Sequence, residues 1–216
     1  MNTAAFITRL HYPRNHPDWQ WRLKYYSDRV LPSILNQTDQ DFDIWVWCEP
    51  HHVSEVKGLH RRIRTFWAPY QAKGEKYLAD QVQYDQTVGL PKYKLQIGID
   101  SDDFISKKLL QKARSICKGE QSIVVSFQPV LFDVKTKRRF YMKRRYGPNF
   151  GSAVFAFYQP NLDNYQFAYT VGHRSLPKLA EKVVVVPEGY AFVSIHDRNY
   201  STRLHKNARP YKGALP

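Results

Sequence analysis

A chain of 216 residues that is 43% hydrophobic and 15% aromatic can bury a sizeable core, which excludes a disordered protein. It has no apolar run of about 18 residues, so a membrane-spanning helix is excluded as well. The net charge of +14 calls for an anionic partner: nucleotide, nucleic acid, acidic glycan or membrane surface.

Phe6 to Leu10 predicts a first strand, and His11 to Pro17 a loop. Asp18 is placed to cap a helix through Trp21, Tyr25, Val30 and Ile34, with Pro32 kinking or restarting it. Asp43 to Cys48 predicts a second strand, followed by Glu49-Pro50-His51-His52, whose two histidines lack a spaced partner and read as surface residues. A helix over Val53 to Arg62, a strand around Ile63 to Phe66 and an amphipathic helix over Lys73 to Thr87 lead to a strand at Leu95 to Ile99. This β-α-β-α-β-α-β order predicts a largely parallel sheet with helices on both faces. Beyond it the chain is strand-rich: Ser122 to Phe127, Val130 to Val134, Arg139 to Met142, Val183 to Val186 and Tyr190 to Ile195. No Pro/Gly/Ser linker separates the halves, which predicts one α/β domain. Cys48 and Cys117 stand far apart in apolar surroundings and read as core thiols. The N-terminus also lacks the basic start and long apolar core of a signal peptide, so a cytoplasmic protein is expected.

The Leu95 to Ile99 strand ends in Asp100-Ser101-Asp102-Asp103. Strand ends of an α/β sheet are where ligands sit, and Asp100 and Asp102 can turn hard oxygens toward one Mg²⁺ or Mn²⁺. The structural alternative is an acidic turn in which Asp103 caps a helix over Phe104 to Lys118.

Several motifs then fall in a familiar order: Phe6-Ile7-Thr8-Arg9-Leu10, Leu31-Pro32-Ser33-Ile34-Leu35-Asn36-Gln37-Thr38 with Phe42, the Asp100-Ser101-Asp102-Asp103 turn, and Val193-Ser194-Ile195-His196-Asp197-Arg198-Asn199. In this the chain resembles the GT-A-fold glycosyltransferases of the rhamnosyltransferase family over nearly its whole length. The resemblance implies a Rossmann-type nucleotide-binding half (1–104) merging into a mixed, acceptor-side half (105–200), with a basic tail at 201–216. It also implies that Asp100 and Asp102 form the Asp-x-Asp motif holding Mn²⁺ or Mg²⁺ on the diphosphate of a nucleotide-sugar, with His196 as a further metal ligand. Thr8, Arg9 and Glu49 match positions that contact the nucleoside, and Ser101 lies within the motif. The family's usual His-Gly-x-Asn reads His196-Asp197-Arg198-Asn199 here.

No acidic pair in the later half marks a catalytic base. His173 and Asp163 are candidates, with Glu188 as a further choice, and His173 can equally be a plain loop histidine. Gly147 to Ser152 lacks the Gly-Lys-Ser/Thr of a phosphate loop and reads as an acceptor-side loop. The run from Lys135 to Tyr146 interleaves aromatics with Arg138, Arg139, Lys143, Arg144 and Arg145. Such a run suits a phosphate backbone, or else an edge hairpin whose charges block aggregation. The expected activity is transfer of a sugar from a UDP-, GDP- or dTDP-linked donor to a hydroxyl acceptor, either a glycan or hydroxymethylpyrimidine in DNA. The alternatives are a non-catalytic nucleic-acid-binding protein and, ranked last, a metal-dependent nuclease.

Overall fold

The computed structural model describes residues 4–10, 16–67, 91–141, 154–169, 176–196 and 209–210. Its strands are β1 (Ala4–Arg9), β2 (Asp43–Cys48), β3 (Ile63–Trp67), β4 (Leu95–Asp100), β5 (Phe104–Ile105), β6 (Ile123–Asp133), β7 (Arg139–Tyr141), β8 (Phe155–Tyr158), β9 (Lys182–Ile195) and β10 (Arg209–Pro210). The sheet runs β10-β7-β6-β8-β4-β1-β2-β3, and β9 joins β6 on one side and β5 on the other. The β4-β1-β2-β3 portion is parallel, as expected. Both β4 and β6 pair antiparallel with β8, which makes the sheet mixed.

Alternation along β1 divides the interior in two. Phe6 and Leu10 face a core completed by helices α1 (Trp19–Tyr25), α2 (Leu31–Leu35), α3 (Val53–Gly58) and α4 (Leu109–Ile116). Ala5 and Ile7 face a second, aromatic core. All the described α-helices therefore pack on one face, and among the described residues the other face carries only a 3-10 turn, Leu176–Leu179, in place of the expected helices. The second face is covered instead by Tyr165 to Tyr169 and Leu176, closing over Trp45, Trp47 and Phe66. The predicted Lys73 to Thr87 helix lies outside the described residues.

Between α1 and α2 the chain makes a π-helical turn, Tyr26–Val30. Pro32 lacks an N–H and its ring crowds the carbonyl four residues back, so a widened turn ahead of it restarts the helix without a break. Asp18 holds the N-cap position of α1 but makes no side-chain cap hydrogen bond.

Several predicted elements are corrected. Ser122 to Val134 is one strand rather than two, and so is Lys182–Ile195. The interruption lies in β9, which loops out residues 187–190 between Val186, opposite Phe127, and Ala191, opposite Pro129. Gly189 takes φ 114° there, a conformation that favours glycine. Asp103 caps no helix, because Phe104–Ile105 pairs with β9 and α4 starts only at Leu109. β8 has no counterpart among the predicted strands. The 201–216 tail is described only at Arg209–Pro210, whose backbone pairs with β7.

His52 is not on the surface. It is 4% exposed, its ring stacks on Trp19 at 3.5 Å, and its Nδ1 lies 3.2 Å from a Glu55 carboxylate oxygen that also accepts from Trp19 Nε1. Burial lowers its pKa despite Glu55. The unfolded chain then binds the extra proton more readily, so this contribution to stability is full above about pH 6.5 and is lost as pH falls below it. Melting temperatures across pH 7.5 to 5.5 should fall, and His52→Phe, which keeps the stacking, should flatten that part of the profile. Cys48 and Cys117 are free and buried, and burial pushes both thiols up to about 12, leaving them unreactive. Among the described residues no helix is long and apolar enough to cross a membrane.

Candidate active site

Three parallel strands bring their C-terminal ends together. Arg9 closes β1, pairs in register with Asp100 of β4 on one side and lies beside Trp47 of β2 on the other. Its guanidinium is held between two aromatic faces, 4.6 Å from the Trp47 ring and 5.2 Å from that of Tyr169. Tyr169 is fixed in turn, its hydroxyl donating to the carbonyl oxygens of Ile7 (3.2 Å) and Ile99 (3.4 Å).

Just beyond β4, Asp102 meets two partners from distant segments. The guanidinium of Arg22 on α1 donates to Asp102 Oδ2, and His196 Nε2, at the end of β9, lies 3.0 Å from the same oxygen. Trp21 and Tyr25 flank the His196 ring, with centroids at 4.5 and 6.0 Å. Burial raises the pKa of Asp102, but the hydrogen bond from His196 and the charge of Arg22 outweigh it and hold the carboxyl below its usual range. Asp103 behaves oppositely. It is buried, its Oδ1 accepts from the Ser194 N–H at 3.0 Å, and burial together with the charges of Asp102 and Asp100 raises its pKa well above normal. Ser194 Oγ also pairs with the Tyr25 hydroxyl at 2.8 Å, fastening α1 to β9.

The structure thus brings together Arg9, Asp100, Ser101, Asp102 and His196. The side chain of Thr8 is fully buried on the helix-covered face, near the Tyr26 hydroxyl, because it shares the β1 face with Phe6 and Leu10. Glu49 lies just past β2, largely buried, with its carboxylate 3.3 Å from His51 Nδ1. Asp163 is exposed and not brought to this site. It follows Leu162, whose carbonyl accepts from Lys92 near the start of β4, so it sits at the opposite end of that strand. Glu188 lies in the loop of β9, while His173 and the Gly147 to Ser152 segment fall outside the described residues. Arg138 and Arg139 stand at the β6-β7 hairpin, one strand over from the end of β9; Lys143, Arg144 and Arg145 are outside the described residues.

Sequence reasoning missed Arg22. Its signal was position: it lies three residues from both Trp19 and Tyr25, on the buried stripe of α1, where a charged residue requires a partner.

The donor set suits a hard divalent cation in part. Adjacent ligands of an octahedral Mg²⁺ or Mn²⁺ stand about 3 Å apart, close to the separation of Asp102 Oδ2 and His196 Nε2. Arg22 already occupies that oxygen, and among the described residues no three His, Cys, Asp or Glu side chains are grouped to hold a metal ion. Such a cation would take most of its shell from water and phosphate.

The chain has counterparts of this architecture among solved structures. It superposes on the S. aureus TarS fragment 1–349 in complex with UDP-GlcNAc with a TM-score of 0.59 and 13% identity, covering 94% of this chain and 62% of that one. The same fragment in complex with UDP gives a TM-score of 0.54 and 13% identity over 89% of this chain and 60% of that one. The fragment 1–349 described without a ligand gives 0.55 and 14% over the same 89% and 60%. The chain therefore spans less than two thirds of the TarS fragment, and the likeness establishes a GT-A-like, single-domain α/β fold. Comparison with curated proteins gives no match. The family model described as "Putative rhamnosyl transferase" matches residues 14–208, and the chain belongs to that family.

Proposed function

We propose that this chain transfers a sugar from a nucleotide-sugar to a hydroxyl acceptor, with the donor at the C-terminal ends of β1, β2 and β4. The observation that carries the reading is the convergence of Asp102, Arg22 and His196 beside Arg9 at the mouth of the parallel strands. TarS is described with UDP and UDP-GlcNAc, which makes a uridine diphosphate sugar the first donor to try.

In this reading Arg9, held between Trp47 and Tyr169, provides a fixed positive charge for the donor's phosphates. Glu49 lies beyond β2, placed for the ribose or base. Asp102 and His196, with Asp100 beside them, would hold Mn²⁺ or Mg²⁺ through the positions that Arg22 leaves open. A cation there offsets the charge that develops on the departing nucleoside diphosphate. Arg22 keeps the Asp102 carboxylate ionised and aimed. Of the three candidate bases, Asp163 stands at the other end of β4, so we keep His173, with Glu188 as the further choice. The basic hairpin beside β9 supports an anionic acceptor, whether glycan or modified DNA; a DNA acceptor would bind with steep salt dependence.

Calorimetric titration with UDP, with and without Mn²⁺, tests the donor site. Arg9→Ala should weaken binding about tenfold, whereas Thr8→Val should leave it unchanged, since that hydroxyl is sealed in the core. Chelation should weaken UDP binding as well. No binding of UDP, GDP or dTDP in any condition would overturn the transferase reading.

A further inference from the structure

We propose that a cleft on the β5 side of the acidic turn binds an acceptor sugar bearing a phosphate or carboxylate. The inference deepens the transferase reading above and rests on it for the role of the bound sugar. The cleft has a volume of about 560 Å³, within the range of small-molecule sites (about 300–1,000 Å³). Phe104 and Phe132 line its apolar side. Phe104 is stacked flat on Phe192 (5.0 Å between centroids, 5° between planes) and meets Phe132 edge-on at 5.3 Å, so the surface they offer is rigid. Phe104 is 9% exposed and Phe132 3% exposed, so together they offer only a small, fixed apolar patch for the C–H edge of a sugar.

The rim is cationic. Arg29, Lys107 and Asn36 are exposed, and among the described residues neither Arg29 nor Lys107 has an ion-pair partner. The rim's acid, Asp28, is engaged by Lys24 Nζ at 2.9 Å. An arginine offers paired donors to a phosphate or carboxylate, and the lysine adds a point charge.

The rim is also built to hold its shape, and the motif Leu31 to Thr38 does the building. Gln37 Nε2 donates to the carbonyls of Ser33 (3.0 Å) and Ser106 (2.8 Å), while its Oε1 accepts from the Leu110 N–H at 3.0 Å. The Lys107 carbonyl accepts from the Thr38 N–H at 2.8 Å and from its hydroxyl at 3.2 Å. Ser33 Oγ takes the Ile105 N–H at 3.2 Å. These bonds fasten α2 to residues 105–110, the segment that carries Ile105 and Lys107 of the cleft wall.

The cleft adjoins the reaction centre. Phe104 directly follows Asp103, and Phe132 lies opposite Ser194, which ties together Asp103 and Tyr25. A sugar anchored by its anion at Arg29 and Lys107 would sit along the wall shared with Asp102 and His196.

The test titrates the full chain with glucose 6-phosphate, glucuronate, glucose and inorganic phosphate by calorimetry. One of the two anionic sugars should bind at least about tenfold more tightly than glucose or phosphate alone, and which one does so separates phosphate from carboxylate recognition. Arg29→Ala with Lys107→Ala should abolish that preference while UDP affinity stays within about twofold. Both positions are exposed, and Lys107→Glu alone gives a second variant with the same expected sign. Equal binding of all four probes, unchanged binding by the variants, or displacement of the sugar by UDP would overturn the proposal. Failure of UDP itself to bind counts against the donor reading and not against the cleft.

Discussion

Replacing Asp102 with alanine should both abolish transfer and lower the melting temperature by roughly 6–20 °C. The reason is Arg22, which is 2% exposed and whose guanidinium donates to Asp102. Removing one member of a buried ion pair takes away the carboxylate that offsets its partner's charge and costs about 3–5 kcal/mol. For a domain of this size that range converts to the stated shift. His196→Ala should cost less, since it removes a ring and a hydrogen bond but strands no charge. Joint replacement, Arg22→Met with Asp102→Leu, should recover most of the melting temperature, because apolar residues in place of a buried pair are often neutral or better. Activity should stay lost in that double variant. An unchanged melting temperature in Asp102→Ala would show that Asp102 is not what compensates Arg22.

Gly98→Ala should be the other severe substitution, although it adds one methyl group. Gly98 lies in β4 opposite Phe155 of β8, whose ring folds over the glycine. A Cβ at Gly98 would stand 2.1 Å from Phe155 Cζ and 2.3 Å from its Cε1, far inside contact distance. The ring cannot simply swing aside. Phe155 is 1% exposed and packs against Tyr169 (5.7 Å, 64°), which in turn flanks Arg9. Overpacking at such a site costs about 1–3 kcal/mol or more. It should also loosen the Tyr169 platform, so that a weaker UDP affinity accompanies the lower denaturation midpoint. Phe155→Leu in the same chain should relieve the clash and recover part of both. Wild-type stability in Gly98→Ala would mean that the aromatic core is far softer than its packing implies.

How legible each part was in the sequence follows from the range of the forces involved. β1, β2 and β4 were readable as short, mostly apolar runs, because parallel strands buried on both faces carry side chains of one character. The acidic turn was readable for the same local reason, as carboxylates placed where such a run stops. The burial of Thr8 was also present in the alternation with Phe6 and Leu10, which gives one face of a strand to the core. β8 was not readable. Four residues, Phe155-Ala156-Phe157-Tyr158, carry too little pattern to announce a central strand. The single strands β6 and β9 were each broken in two by the Pro129 and Pro187 to Gly189 signals, since local turn chemistry cannot distinguish a bulge from a chain reversal.

By itself the sequence determined the parallel strand core, the acidic turn at the end of β4 and the excess of positive charge, all set by residues near one another in the chain. The tertiary structure decided the rest. Arg22 and Asp102 are 80 positions apart, and His196 lies 94 beyond Asp102. Coulomb and hydrogen-bond energies depend on distance through space, and only the packing of α1 and β9 against β4 brings those charges within reach. The cleft beside them has the same origin, because Gln37 and Thr38 acquire their meaning only when α2 folds against residues 106–110.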